Sequence, residues 1–213
     1  MPGQFIVFEG IDTGVLSEEA EKLADWLKKE GHSVVTTREP TDGPLGAQLR
    51  LLLNGRYSMH EYARALLSAA DRMDHHFGVG KPEEKTVQKD IQDGKFVVSV
   101  RHLLYDYAQQ SETVSLDWLM KINHFFPWPD LVIFVDVPVD TVLMKVIKEH
   151  GYEETEIKHK REELVMLRSS YLKAIAVLEE KGLLISVIES DSPEVIHRDS
   201  VKFVHQVLVG NNA

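Results

Sequence analysis

The sequence contains no cysteine among its 213 residues. This absence excludes disulfides, zinc–thiolate centres and thiol nucleophiles. Positive charge is also scarce, because 24 lysines and arginines stand against 34 acidic residues, for a formal net charge of -10. Broad binding to nucleic acid or to anionic membranes needs a positive surface, so we expect neither partner.

Long apolar runs are missing as well. No stretch approaches the roughly 18 consecutive apolar residues of a membrane-spanning helix. The N-terminal MPGQFIVFEG lacks the basic region and long apolar core of a signal peptide. We therefore expect a cytoplasmic protein. Its length and its hydrophobic share of 43% suit one domain over residues 1–213.

Short β-prone runs alternate with amphipathic stretches along the whole chain. The run LVIFVDV at 131–137 is the clearest strand, and the first helix is predicted over Ser17–Lys29 with Ser17 as its N-cap. Such alternation predicts an α/β fold in three layers, a central parallel five-stranded sheet with helices on both faces. The other predicted strands are Gln4–Glu9, Ser33–Thr37, Phe96–Ser99 and Leu183–Ile188, and the other predicted helices are Ala47–Leu53, Met59–His76, Lys81–Asp93, Leu116–His124, Val139–Glu149, Arg161–Glu180 and Pro193–Val209.

Ligands of parallel sheets bind at the carboxyl ends of the strands. We therefore expect the functional site where the predicted strands end, in the segments 9–17, 38–46, 101–106 and 136–138.

Five segments, in order along the chain, resemble motifs of the thymidylate kinase family of nucleoside monophosphate kinases. They are FEGID at 8–12, TREPTDGPLG at 37–46, SAADR at 68–72, LDWLMKIN at 116–123 and PDLVIFVDVP at 129–138. The resemblance covers most of the chain and implies a P-loop NTPase-like fold and a homodimer. Members of the family bind ATP on a Walker loop and thymidine monophosphate opposite it, with Mg²⁺ between them.

The phosphate loop departs from the family pattern. Leu16 stands at the position of the Walker lysine, and Val15 stands at a glycine position. Gly14 and Ser17 keep the expected residue types, so the resemblance assigns both to phosphate binding and Ser17 to Mg²⁺. The residues alone also allow Ser17 to be a plain helix N-cap.

The segment after the third strand reads Ser99-Val100-Arg101-His102. The family has an aspartate where this chain has Val100, and valine cannot hold magnesium through water. Arg101 is retained, and the resemblance implies that it contacts the acceptor phosphate. A surface arginine at the sheet edge is the alternative for Arg101.

The resemblance also implies an acceptor pocket. Arg72 matches the family arginine that holds the monophosphate, while Ser68 replaces the aromatic residue that stacks on thymine. Asp106 and Gln109 occupy polar positions that contact base and sugar.

Asp12 and Arg38 keep family identities. The resemblance makes Arg38 a phosphate ligand, and it leaves Asp12 and Arg101 as the candidate catalytic residues. The family's lid supplies basic groups, and the candidates here are Lys145, Lys148, Lys158, Lys160 and Arg161. The alternative is that these residues lie on a solvated helix face.

Spacing alone allows a metal site on the helix around residue 72. His75 lies four residues after Asp71, so the two share a helix face, with Asp74 and His76 beside them. This segment lacks a firm third ligand, which argues against a metal.

Three functions follow from these residues. Coordinated departures at Val15, Leu16, Ser68 and Val100 favour a catalytically impaired or inactive thymidylate kinase-like protein with a residual nucleoside monophosphate or phosphate site. The first alternative is an active thymidine monophosphate kinase with a rearranged site, which would need ATP and Mg²⁺. The second is a dimeric interaction or regulatory protein without catalysis, which would need no cofactor.

Overall fold

The computed structural model describes residues 3–78, 86–152 and 154–209. Five parallel strands form one sheet in the order β2-β3-β1-β4-β5, so the predicted α/β class is confirmed. The strands are β1 Gln4–Gly10, β2 Val34–Arg38, β3 Phe96–Val100, β4 Leu131–Val135 and β5 Ile185–Ile188.

The three inner strands are almost entirely buried. Strand β1 pairs with β3 from Gln4↔Phe96 and with β4 from Ile6↔Leu131. Its residues 5–8 are apolar on both faces and have almost no exposed surface. A sheet covered by helices on both sides requires such unbroken apolar strands, and this is why the sequence pattern located them.

Helices cover both faces of the sheet, and their bounds shift from the predicted ones mostly by a few residues. They are α1 Thr13–Lys29, α2 Pro44–Leu53, α3 Glu61–Phe77, α4 Val87–Gln92, α5 Leu103–Gln110, α6 Leu116–Ile122, α7 Val139–His150, α8 Glu154–Glu180 and α9 Pro193–Val204, followed by a π-helical turn at His205–Val209. None of the helices in the described ranges has both the length and the apolar character that crossing a bilayer requires.

Two helices differ from the sequence-based prediction. Helix α5 was not predicted, because LLYDYAQQ has only eight residues, too few for a helical period to stand out, although all but one of them are buried. Helix α8 begins at Glu154 rather than at the predicted Arg161. The prediction missed its first turns because they are charged and carry almost no apolar stripe. The predicted helix at Lys81–Asp93 is described only from Val87, since residues 79–85 lie outside the described ranges.

Helix α1 begins four residues before the predicted Ser17, so the prediction of Ser17 as N-cap is wrong. Asp12 is the N-cap, and its Oδ1 accepts a hydrogen bond from the Val15 amide at 3.2 Å. Aspartate caps a helix as well as serine does. The earlier start also buries Leu16, and this contact with the core is invisible in local sequence.

Candidate functional site

An open cleft lies at the carboxyl edge of the sheet. Arg38 at the end of β2 and Arg101 just after β3 line it, together with Tyr105 and Gln109 from α5 and Lys160 from α8. The cleft therefore brings together three of the four segments that were expected to form the site, and the fourth, residues 136–138, lines a different depression.

The connection from β1 to α1 is only two residues long, Ile11 and Asp12. A Walker loop wraps free backbone N–H groups around phosphate oxygens. Here the Val15 amide donates to Asp12 Oδ1, and the Leu16 amide donates to the Asp12 carbonyl at 3.1 Å. In this conformation both amides are used inside the helix.

Leu16 points into the core. It is 1% exposed and belongs to the main hydrophobic cluster. A Cβ added at Gly10 would stand 3.4 Å from Leu16 Cδ2 and 2.5 Å from the Val135 carbonyl oxygen. The glycine that ends β1 is therefore required by close packing, and Leu16 fills the space beside it.

Both carboxylate oxygens of Asp12 are engaged. Oδ1 caps α1, and Oδ2 accepts from Lys145 Nζ of α7 at 2.6 Å. One of the basic residues considered for a lid therefore reaches the N-terminus of α1. Arg161 pairs instead with Asp140 at 2.9 Å.

Ser17 and Arg38 line one surface depression beside the cleft, with Thr41 and Asp42. The Arg38 guanidinium donates to Asp42 Oδ1 at 2.7 Å. Gly14 is exposed on the first turn of α1. Ser17 is the fifth residue of the helix, so its side chain is not at the helix start, where the resemblance placed a magnesium ligand.

Arg72 is buried and held by three side chains. Its Nε donates to Glu39 Oε2 at 2.9 Å, its Nη1 to Asn123 Oδ1 at 2.7 Å and its Nη2 to Asp106 Oδ2 at 2.7 Å. Burial alone would lower the pKa of Arg72, but Glu39 and Asp106 raise it above its ordinary value. Arg72 is therefore charged, and protein groups use all three of its nitrogens rather than leaving them for a ligand.

Glu39 and Asn123 are partners that the sequence analysis missed. Glu39 stands in the quoted TREP stretch and Asn123 ends the quoted LDWLMKIN stretch, so position in these segments was the available signal. No local sequence pattern indicates that both side chains contact Arg72 of α3.

Arg101 has an unusual backbone conformation. Its φ is 65°, in the left-handed region that non-glycine residues seldom adopt, and its amide donates to the Phe8 carbonyl at 2.8 Å. The guanidinium carbon lies 4.0 Å from the centre of the Tyr105 ring. This cation–π contact holds a positive group at the cleft.

The predicted acceptor residues surround a single cavity. Ser68 and Arg72 line it from α3, and Asp106 and Gln109 line it from α5, beside Tyr105. Convergent polar groups next to an open cleft are typical of a small-molecule site. The roles of these residues remain predictions.

Glu9 is a buried acid that the sequence analysis did not single out. Its Oε1 accepts from the amides of His102 and Tyr105 at 2.8 and 3.2 Å, and its Oε2 accepts from the Tyr171 hydroxyl at 3.1 Å. Burial raises the pKa of Glu9 to about 8, although the hydrogen bond from the His102 amide opposes the rise. Glu9 thus joins β1 to the start of α5 and to α8.

Asp71 and His75 of α3 have different partners. Asp71 accepts from the Thr41 amide at 2.9 Å and from the Thr41 hydroxyl, whereas His75 Nδ1 lies 3.1 Å from Glu39 Oε1. His76 instead meets His102.

Comparison with known protein families determines the family to which this chain belongs. A family model described as thymidylate kinase matches residues 8–199. The chain belongs to the thymidylate kinase family. It is 34% identical to a protein of Pyrococcus abyssi named "probable thymidylate kinase", over 99% of this chain and 100% of the relative. It is 36% identical to a protein of the same name from Thermococcus onnurineus, over 96% and 98% of the two chains.

A solved thymidylate kinase from Candida albicans has the same fold. Its TM-score to this chain is 0.74 at 16% sequence identity, with 96% of this chain and 92% of that one covered. The expected P-loop NTPase-like fold of the family is therefore confirmed. Membership of the family and the shared fold do not by themselves determine activity.

Proposed function

We propose that this member of the thymidylate kinase family keeps a nucleoside monophosphate site but is impaired in, or incapable of, phosphoryl transfer from ATP. The observation that carries the proposal is Leu16. It stands where the family has its lysine, and it is 1% exposed inside a helix that already begins at Thr13.

The phosphate contacts that this loop lacks are energetically important for phosphoryl transfer. Phosphoryl transfer depends almost entirely on positioning and on charge stabilisation at the transferring group. Loss of a single preorganised donor from a charge-stabilising site costs roughly 10²–10³-fold in rate, or about 3–4 kcal/mol. Here the lysine is replaced, and the amides of Val15 and Leu16 are occupied within the helix.

The monophosphate side supports a binding role. Ser68, Asp106 and Gln109 line one cavity, and Arg101 holds a positive charge at the adjoining cleft. We propose thymidine monophosphate as the ligand class because of the family. Ser68 provides no stacking surface for a base, so we expect weaker binding than an aromatic side chain would give.

An active nucleoside monophosphate kinase using ATP and Mg²⁺ is the second candidate. The comparisons favour it, because relatives named as kinases align with nearly the whole chain. Lys145 supports it as well, since its ammonium group reaches Asp12 at the N-terminus of α1. In this scheme Lys145 would replace the Walker lysine, and Asp12 and Ser17 would hold the metal.

Turnover and binding together separate the candidates. ADP release would be followed with ATP–Mg²⁺ and thymidine monophosphate, and calorimetry would measure each nucleotide separately. We expect the monophosphate to bind without measurable turnover. Turnover near about 1 s⁻¹, the low end for such kinases, would refute impairment and favour the second candidate, and Lys145→Met should then abolish it. If neither nucleotide binds, the result would favour the dimeric interaction or regulatory protein without catalysis.

A repaired loop provides the matched test. The double variant Val15→Gly/Leu16→Lys should bind ATP at least about tenfold more tightly than Val15→Gly/Leu16→Met, since a tenfold change corresponds to only about 1.4 kcal/mol of phosphate–ammonium attraction. Both variants carry the same glycine at position 15, and only one restores the charge. Equal ATP affinity in the two folded variants would contradict the assignment of residues 13–17 as the former phosphate loop.

A further inference from the structure

Three side chains from separate segments converge in the core beside β1. They are Glu39 from the loop after β2, His76 from α3 and His102 just after β3, and each is at most 8% exposed. The two histidine rings pack edge-on against Phe5, with ring centres 5.5 and 5.1 Å away. We propose that Glu39, His76 and His102, here called the Glu39 site, bind a transition-metal dication such as Zn²⁺.

The distances suit such an ion. His76 Nε2 lies 3.0 Å from His102 Nε2, and both nitrogens lie 3.9 Å from Glu39 Oε1. A point about 2.1 Å from all three atoms therefore exists in the plane of the three atoms, and this matches zinc–nitrogen and zinc–carboxylate bond lengths. The ligands must shift slightly to give the tetrahedral angles that zinc prefers. Two histidines and one glutamate are also an established set of zinc ligands.

Metal binding requires neutral imidazoles and an ionised carboxylate. The hydrogen bond between the two Nε2 atoms places a proton on one of them. That proton must move to Nδ1 of the same ring before both Nε2 atoms can bind a metal.

Neighbouring groups orient the carboxylate. Arg72 Nε and Nη2 bind Glu39 Oε2 at 2.9 and 2.8 Å, which turns Oε1 toward the two histidines. His75 bridges Glu39 Oε1 and the Thr37 hydroxyl. Such contacts to ligating groups are typical of metal sites. Arg72 together with ionised Glu39 and Asp106 sums to a charge of -1, so an arriving dication is not repelled by the cluster as a whole.

The competing arrangement is a metal-free hydrogen bond between the two neutral rings. Within the described residues, Nδ1 of both His76 and His102 has no hydrogen-bond partner. A bound metal would leave both Nδ1–H groups without an acceptor. Loss of such outer contacts typically weakens metal binding 10–100-fold, so we expect weaker affinity than in sites whose histidines have these partners.

Calorimetry of the full chain with Zn²⁺, and Co²⁺ absorption spectra, test the site. We expect one ion per chain and an affinity at least about tenfold lower in both His76→Gln and His102→Gln. His124→Gln removes an exposed histidine and should change nothing. Wild-type protein that binds no ion, or unchanged binding in both core variants, would overturn the proposal.

A measurement on wild-type protein remains decisive if the core variants do not fold. In NMR spectra, Zn²⁺ should shift the imidazole signals of His76 and His102 and leave that of His124 in place. Shifts confined to other histidines would refute the Glu39 site.

Discussion

Replacing Glu9 with glutamine should change how the stability of the protein depends on pH. Glu9 is completely buried, and its pKa is raised from 4.5 to about 8. The folded state therefore holds a proton that the unfolded chain has already lost. The stability from this proton is fully present below pH 4.5 and is lost as the pH rises to about 8. Glutamine keeps the shape of the protonated acid and does not titrate.

The expected size follows from the shift. One pKa unit corresponds to about 1.4 kcal/mol, so a shift of this size corresponds to at most about 5 kcal/mol over the whole interval. Between pH 6 and pH 8 the Glu9 contribution should fall by about 2 kcal/mol. His76 acts in the opposite direction, because its lowered pKa makes stability rise with pH up to about 6.5. This histidine is present in both proteins and cancels in the comparison.

Urea unfolding of wild type and Glu9→Gln at pH 6, 7 and 8 measures the effect. The variant should gain about 2 kcal/mol on wild type between pH 6 and pH 8. Glu18→Gln is the control, since Glu18 is an exposed partner of Lys22 and should show no such gain. A wild-type minus variant difference that stays constant within about 0.5 kcal/mol would refute the raised pKa.

Two further substitutions test the core around the cleft. Arg72→Met would leave Glu39 and Asp106 buried without their cation, and we expect a loss of about 3–5 kcal/mol in urea unfolding; a loss under about 1 kcal/mol would mean that water or other groups replace the arginine. Gly46→Ala would place a Cβ 2.1 Å from the Thr41 carbonyl oxygen, so the loop before α2 must move. We expect a loss of about 1–3 kcal/mol by thermal or urea unfolding, and an unchanged midpoint would show that the backbone yields freely.

Much of the candidate site was predictable because family-like segments follow strands that the sequence revealed. Ser68, Arg72, Asp106 and Gln109 were expected in one pocket, and they line one cavity. The hydrogen bonds that hold Arg72 were not predictable. Its partners lie 33, 34 and 51 residues away along the chain, so no local pattern connects them.

The sequence by itself determined the α/β class, the parallel sheet and the membership of the thymidylate kinase family. Buried strands need unbroken apolar runs, and such runs are visible in a single sequence. Only the tertiary structure decided where α1 begins, what holds Arg72, and that Glu39, His76 and His102 meet. Each of these depends on which distant groups share a buried volume, and residue order alone does not specify such proximity.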